Sequence, residues 1–252
     1  MTSFDPFEAL ALPSNALIDR RVPKTLLIEN GAFAASDRRR IREGIAELRW
    51  LAVLKPATVG IAGYRDDERE YLEIAVLKLN LRAAARGERL VALVHRAVPY
   101  PVLLIAWRAE TPELSLAHKR RSLGEAGRTV LDGEIVVARL CGDCSSDLLA
   151  AFRDALALAR QPSSTLLDLY RGWIDTVQAF RAAGITGEFR LPRTTAAAAS
   201  REAALRDYRW LDNRIAGIQS AASKETQMSR RAEMNVELAR LRADRDATRA
   251  RL

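Results

Sequence analysis

The residues best suited to metal or redox chemistry are two histidines, His95 and His118, and two cysteines, Cys141 and Cys144, in the motif Cys-Gly-Asp-Cys. A structural zinc ion needs four ligands, and the sequence supplies no second cysteine pair. A redox-active Cys-x-x-Cys pair follows a strand and opens a helix, and a strand predicted to end near residue 140 offers that context. We nevertheless interpret the motif as a turn with two incidental thiols, and we predict neither a bound metal nor another cofactor.

Metal-dependent nucleases place two carboxylates and a lysine on neighbouring strands, where they hold Mg²⁺ and the attacking water. Here Glu73 and Lys78 fall in a segment with helical spacing, and Glu134 is isolated in its predicted strand. The chain also lacks a glycine-rich phosphate loop and the common hydrolase motifs. We therefore expect no catalytic activity. The alternative is a divergent nuclease whose acidic residues meet only in the fold.

A basic cluster at the end of a predicted strand is the most distinctive polar feature, and it comprises His118, Lys119, Arg120 and Arg121. Because side chains alternate along a strand, His118 and Arg120 should share one face and Lys119 and Arg121 the other, so at least one pair lies near solvent. Such a cluster could clamp a phosphate or dock an acidic partner. The alternative interpretation is an edge strand that lysine and arginine protect from aggregation.

A second group of cations, Arg38, Arg39 and Arg40, opens a helix predicted over residues 38–54. The N-terminal end of a helix carries a partial positive charge that disfavours cations. The placement of these arginines therefore indicates an anion nearby, although a solvated basic helix end would look the same in sequence.

The remaining polar and aromatic landmarks indicate core packing. Apolar neighbours surround His95, which predicts a core histidine bonded to a backbone carbonyl. Trp107, Trp173 and Trp210 lie on separate predicted elements, so we interpret them as core residues and not as a platform for nucleobases.

The charge of the chain favours polyanionic partners. Its 252 residues include 40 Lys and Arg against 32 Asp and Glu, for a net charge of +8 and a pI of about 10.0. Divided at residue 140, the two parts carry 22 basic and 18 acidic residues, then 18 and 14, so the excess is shared evenly. Phosphate contacts release counterions, which favours nucleic acid as a partner. An arginine-rich proteome with high-GC codon bias would give the same composition.

Composition excludes two classes of protein. Apolar residues make up 48% and charged residues 29%, which is typical of a folded domain and not of a disordered chain. The longest apolar runs are far shorter than the roughly 20 residues of a membrane helix. The N-terminus lacks a basic segment before its apolar residues, unlike a signal peptide. We expect a cytoplasmic protein.

The pattern of elements predicts an α+β fold, with one mixed or antiparallel sheet and packed helices, followed by an all-helical C-terminal region. The elements expected in the first part are a helix at 38–54, a short strand at 57–62, a helix at 66–87 and four strands at 90–98, 102–107, 113–120 and 129–139. Helices follow at 147–160, from 164 and from 194. The predicted domains are an α+β body at 1–140, a helical segment packed on it at 141–192 and a long helical arm at 193–252.

The last helix carries a short heptad pattern, formed by Met234, Leu238, Leu241, Thr248 and Leu252. A seam of this kind favours a coiled coil that joins two copies through residues 200–252 or binds a partner. A helix that packs on its own chain would show the same pattern.

Four stretches resemble the bacterial family catalogued as domain of unknown function 4391. They are residues 12–24 (LPSNALIDRRVPK), 46–51 with Lys55 and Pro56, 98–105 (VPYPVLLI) and 114–120 (LSLAHKR). The resemblance implies no chemistry, but it does imply a context, because similar proteins are encoded beside helicases and DNA methyltransferases in antiphage and restriction-like gene clusters. It also implies that Lys24, Lys119 and Arg120 are family motif residues, without assigning them a role.

Charge and resemblance together predict a non-catalytic accessory protein of a DNA-processing or antiphage defence system. Its partners would be DNA or RNA, a helicase or methyltransferase subunit, or a second copy of the chain. The candidate binding residues are Lys24, Arg38, Arg39, Arg40, His118, Lys119, Arg120 and Arg121. A divergent nuclease and a pure protein–protein scaffold are the alternative functions.

Overall fold

The computed structural model describes residues 4–31, 33–125, 127–140 and 144–252. Cys141 lies outside the described residues, and Cys144 is half-buried. The chain separates into two compact units, Met1–Val177 and Gln178–Leu252. The predicted division into three segments stays a prediction, because compactness does not say which segments fold independently. The predicted fold class is confirmed: 51% helix and 24% strand, with a mixed six-stranded sheet and a helical C-terminal region.

The first unit alternates short helices with strands. In chain order its elements are α1 (Pro6–Ala9), β1 (Leu17–Arg21), α2 (Lys24–Asn30), α3 (Ala35–Gly44), β2 (Ile45–Leu54), α4 (Pro56–Val59), β3 (Tyr64–Arg65), β4 (Glu70–Tyr71), β5 (Ile74–Leu81), α5 (Gly87–Ala97), β6 (Val102–Arg108), β7 (Thr111–Arg121), β8 (Thr129–Arg139) and α6 (Ser146–Leu156). Two 3₁₀ turns lie at Ser14–Ala16 and Leu158–Arg160, and α7 (Leu166–Thr186) begins in the first unit and ends in the second.

The large sheet has the strand order β1-β2-β5-β6-β7-β8, and β3 and β4 form a separate hairpin. Its neighbours are antiparallel except β5 and β6, which run parallel. Parallel strands need a crossover connection, and α5 provides it between β5 and β6. The start of α5 therefore lies beyond the end of β5.

The helix predicted over residues 38–54 is wrong in its second half. Helix α3 ends at Gly44, and Ile45 adopts the extended conformation that begins β2. Strand β2 lies inside the sheet, carries buried residues on both faces and contains two register shifts against β5. A strand covered on both faces does not show the polar–apolar alternation. The apolar residues of β2 happen to recur at helical spacing, and the pattern therefore predicted a helix.

Between residues 66 and 98 the predictions are also wrong, because the predicted helix contains strands and the predicted strand is a helix. The predicted helix at 66–87 covers β4 and β5, and the predicted strand at 90–98 is the C-terminal part of α5. Seven of the eleven residues of α5 are buried, so its apolar run resembles a buried strand. The short strand predicted at 57–62 is also wrong, because residues 56–59 form α4. By contrast, β6, β7 and β8 confirm the predicted strands at 102–107, 113–120 and 129–139.

Helices α2, α3 and α5 pack against the sheet in one apolar cluster. The cluster includes Leu27, Ile41, Leu90 and Leu77 from α2, α3, α5 and β5. Tyr170 of α7 joins a second set of contacts, since its hydroxyl donates to the carbonyl of Val102 at 2.7 Å and accepts from the amide of Ala117 at 3.0 Å. These contacts hold α5 and the strand ends in fixed positions.

The second unit contains a pair of long helices, α8 (Thr195–Ala222) and α9 (Met228–Arg249). They run antiparallel, because Arg251 pairs with Asp207 and Glu237 pairs with Arg214. Leu238 and Leu241 of the predicted seam are buried against a set of α8 residues, Leu211, Ile215 and Ile218. The seam is thus occupied within the chain, and self-association through residues 200–252 stays a prediction.

No helix in the described part of the chain has the length and apolar character needed to cross a bilayer.

Candidate functional site

Lys119 of the predicted basic cluster is buried, with 3% of its surface exposed. Its ammonium donates to the carbonyl oxygens of His95 and Val98 at the C-terminal end of α5. Burial lowers the pKa of Lys119 to about 8, so the side chain is still largely protonated at neutral pH. Lys119 therefore extends from β7 towards α5, and its ammonium links the sheet to the C-terminal end of that helix. In this position it does not contact a phosphate in solution.

His118 is half-buried and bonded within the fold. Its Nδ1 and the hydroxyl of Tyr71 share a hydrogen bond of 2.6 Å. Burial, with smaller contributions from Arg69 and Arg171, lowers the pKa of His118 to about 4. The imidazole is therefore neutral at physiological pH and adds no positive charge to the cluster.

Arg120 and Arg121 both have carboxylate neighbours. Arg121 lies 3.0 Å from Glu70, and Arg120 lies 4.0 Å from Asp132. Asp132 also binds Arg69 at 2.5 Å. The cluster on β7 is thus divided between the interior and local ion pairs, and it does not form one positive surface.

Lys24, at the start of α2, resembles Lys119 in its contacts. Its ammonium donates to the carbonyl of Ile45 and, at 3.3 Å, to that of Arg42, where α3 passes into β2. Burial, followed by repulsion from Arg82 and Arg21, lowers the pKa of Lys24. Both lysines satisfy carbonyl groups that a helix end leaves without a partner.

The three arginines predicted near an anion have different surroundings. Arg38 donates to the carbonyl of Phe33 at 2.7 Å, and Arg39 pairs with Glu43 at 2.8 Å. Arg40 is exposed and lines a cavity of about 640 Å³. Only Arg40 of the three contributes to this cavity.

The cavity lies where α3, the start of α5 and the ends of β6, β7 and β8 meet, and we call it the arginine cavity. Its lining consists of Arg40, Arg86, Gly87, Glu88, Arg89, Arg108, Thr111, Glu113 and Arg139. Five arginines thus face two glutamates. The crossover from β5 to β6 brings Arg86 and Arg108 together, because α5 starts beside the end of β6.

Ion pairs neutralise only part of this charge. Arg89 binds the buried Asp37 at 2.5 Å, and this hydrogen bond holds the pKa of Asp37 below its usual range. Arg139 binds Glu88 at 2.5 Å and lies 3.5 Å from Glu113. The three other arginines have no carboxylate within 4 Å among the described residues; they are Arg40, Arg86 and Arg108.

The start of α5 adds to the positive potential of the arginine cavity. Its N-cap residue, Arg86, makes no side-chain capping bond, so the first amides lack the usual side-chain acceptor. A Cβ atom on Gly87 would lie 2.5 Å from Nη2 of Arg108, which places that guanidinium directly against the first turn. Helix dipole and guanidinium groups together favour an anion here.

Sequence reasoning identified Arg40 and missed Arg86 and Arg108. Residues 86 and 108 lie on either side of the strand wrongly predicted at 90–98, which is part of α5. With a strand in that place, nothing in the sequence indicated that the two arginines lie close together. The helical crossover between parallel strands is the feature that joins them, and a correct reading of residues 87–97 as helix would have found it.

The residues considered for nuclease chemistry have other neighbours in the structure. Within the described residues, no group of three or more His, Cys, Asp or Glu side chains could hold a metal ion. Glu73 precedes β5 and pairs with Lys55 at 3.0 Å, and Lys78 lies on β5 and not on a helix. Lys78 instead approaches the ring of Trp107, with its ammonium 5.3 Å from the ring centre.

The core predictions hold for some aromatic residues and fail for another. His95 is fully buried, but its Nε2 lies 3.0 Å from the hydroxyl of Ser115 and not against a backbone carbonyl. Trp173 is fully buried and donates to the carbonyl of Leu156 at 3.0 Å. Trp210 is 62% exposed, so its predicted core position is wrong.

One family model matches the chain over residues 10–244, and it is described as Domain of unknown function (DUF4391). The match covers nearly the whole chain and confirms the resemblance inferred from the motifs. No curated protein and no solved structure matches the chain.

Proposed function

The chain belongs to the DUF4391 family, and we propose that it is a non-catalytic, cytoplasmic accessory protein of a bacterial DNA-processing or antiphage defence system. In this proposal the arginine cavity contacts the DNA backbone. The gene context implied by the family suggests a helicase or methyltransferase as the protein partner.

The observation that carries the proposal is the set of arginines without carboxylate partners. Arg40, Arg86 and Arg108 come from three elements and line one cavity beside an uncapped helix start. Guanidinium groups match the geometry of phosphate oxygens and keep their charge at all physiological pH values. Because such contacts carry no base information, we expect DNA binding with little sequence preference.

The test replaces Arg40, Arg86 and Arg108 together by glutamine and measures binding of a short DNA duplex over a series of salt concentrations. Each lost phosphate contact should lower the slope of log affinity against log salt by about 0.9. We expect the slope to fall by about two to three and the affinity to fall by about tenfold or more.

The matched control replaces Arg65, Arg128 and Arg160 by glutamine. Each pairs with a carboxylate, Glu70, Glu125 and Asp154 respectively, and the net charge changes by the same amount. We expect binding close to that of the unchanged protein. Equal losses in the two triple variants would contradict a specific site and indicate diffuse attraction.

A pure scaffold is the remaining alternative. It predicts no measurable DNA affinity at low salt, together with a stable complex between the chain and a helicase or methyltransferase subunit. Purification of the native complex from its host distinguishes this outcome from DNA contact.

A further inference from the structure

Trp210 is the most exposed tryptophan in the described residues. It lies on α8 and leaves 62% of its surface accessible, while Trp50 and Trp107 are half-buried and Trp173 is fully buried. A single exposed apolar side chain is common on protein surfaces, so the role of Trp210 depends on the charges that surround it.

The position of Trp210 on α8 is outside the seam that binds α9. The seam side of α8 carries Leu211, Ile215 and Ile218. Residues four apart on a helix are neighbours on one face, so Arg206 and Arg214 flank Trp210 one turn before and one turn after. Among the described residues Arg206 has no carboxylate within 4 Å, and Arg214 pairs with Glu237 at 3.0 Å. The exposed indole thus lies between Arg206 and Arg214, and Arg214 also contacts α9 through Glu237.

The second unit also carries most of the net positive charge of the chain. Residues 178–252 contain 15 basic and 9 acidic residues, whereas residues 1–177 contain 25 and 23. The excess of +8 therefore divides as +6 and +2, and the even division expected from a boundary at residue 140 does not follow the structural units. Several arginines of this unit have no carboxylate within 4 Å among the described residues: Arg206, Arg230, Arg231, Arg240, Arg242 and Arg249.

We infer that the helix pair α8–α9 binds single-stranded DNA, with an unpaired base stacked on Trp210 and a neighbouring phosphate on Arg206. This inference rests on the proposed DNA contact and names the form of DNA that this surface takes. In a duplex the faces of the bases are already stacked on one another, and insertion between them costs unstacking energy, so an exposed indole stacks more readily on a base of a separated strand. Stacking on aromatic side chains combined with basic grooves is how proteins hold single strands without sequence preference.

Charge distinguishes this occupant from a protein partner. Tryptophan and arginine are both enriched at protein interfaces, so the distinction depends on the net charge of the whole unit. Of the four residues one turn from Trp210, two are arginines and the others are Asp207 and Asn213, and the unit carries a net charge of +6. Bases provide the apolar surface and phosphates the negative charge in one ligand, so single-stranded DNA complements both features.

The test uses the full-length protein and a fluorescently labelled oligo(dT), with binding followed by anisotropy. Replacement of Trp210 by alanine should weaken oligo(dT) binding by about tenfold, and replacement by phenylalanine should restore most of the affinity. Duplex binding should change less than twofold in both variants. The control Val236→Ala removes an apolar side chain that is 73% exposed on α9 and should leave oligo(dT) binding unchanged.

Equal oligo(dT) affinity of Trp210→Ala and the unchanged protein would overturn the inference. If the Arg40, Arg86 and Arg108 variant still lost duplex binding, the proposed function would stand without it. Tighter binding of oligo(U) than of oligo(dT) would overturn the assignment to DNA. Absence of binding to any of these nucleic acids would overturn both proposals.

Discussion

For single residues, the groups that a charged side chain contacts decide its role. Lys24 and Lys119 are the lysines that the family resemblance emphasised, and both ammonium groups bind backbone carbonyls at helix ends. Lys119 is buried, whereas Lys24 is half-buried and lines a cavity of about 330 Å³. Both lysines satisfy carbonyl oxygens where α3 and α5 end. The guanidinium groups in the arginine cavity without carboxylate partners among the described residues, Arg40, Arg86 and Arg108, all come from positions outside those motifs.

The two histidines give the protein a stability that depends on acidity. The folded-state pKa is about 4 for His118 and about 3 for His95, chiefly because of burial, against about 6.5 in an unfolded chain. Between these values the unfolded chain binds more protons, so the free energy of unfolding falls as the pH drops below about 6.5. Each histidine contributes up to about 1.4 kcal/mol per pH unit.

Replacement of His118 by glutamine isolates one of these contributions. The glutamine oxygen can still accept from Tyr71, but it does not titrate. We expect the free energy of unfolding, measured with urea between pH 4 and pH 6.5, to fall about half as steeply in the variant. His95 is unchanged in both proteins and serves as the internal reference. Equal slopes would mean that His118 titrates normally and is not held neutral by the fold.

Among the secondary-structure elements, α9 has a periodic apolar side whose partner is a helix of the same chain. The heptad spacing correctly marked Leu238 and Leu241 as the apolar side of a helix, and that side is covered by α8 of the same chain. A helix hairpin is reached through a short connection, so it forms before a second copy can be found.

Replacement of Leu238 by alanine should lower the free energy of unfolding by about 2–4 kcal/mol, because it leaves a cavity between α8 and α9. Val236 lies two residues earlier and is 73% exposed, so Val236→Ala should change stability by less than about 0.5 kcal/mol. Urea unfolding followed by far-UV circular dichroism measures both. A small effect of Leu238→Ala would show that this packing is loose, and self-association through the seam would then become the better explanation.

At the scale of the whole molecule, charge is organised by structural unit. The second unit holds +6 of the net charge in 75 residues, while the first gathers its arginines mainly into ion pairs and one cavity. The proposed polyanion binding therefore has two separate candidate sites, the arginine cavity and a basic helix pair, and the variants above address them one at a time.

A whole-molecule test also addresses the nuclease alternative. If the chain is a non-catalytic accessory protein, incubation with plasmid DNA and Mg²⁺ or Mn²⁺ should give no cleavage. A preparation with EDTA controls for contaminating nucleases. Cleavage that depends on the metal and disappears in Glu73→Ala or Glu134→Ala would overturn the accessory role.

The sequence by itself determined the fold class, the meander β6–β7–β8 and the helical C-terminal region, because these depend on local periodicity. Strands with one polar face alternate, and solvent-exposed helices show a clear apolar side. The net charge and the family were also readable without a structure. Arg40 was found as a candidate, since an arginine early in a helix is unusual for reasons of local electrostatics.

Only the tertiary structure decided which segments between residues 45 and 97 are strands or helices, and which cations are free. Elements buried on both sides carry no alternation, so β2, β5 and α5 depend on what covers them. The partner of a charged side chain is equally non-local. Lys119 faces α5, Arg121 meets Glu70, and Arg86 and Arg108 meet Arg40 because a crossover connects two parallel strands.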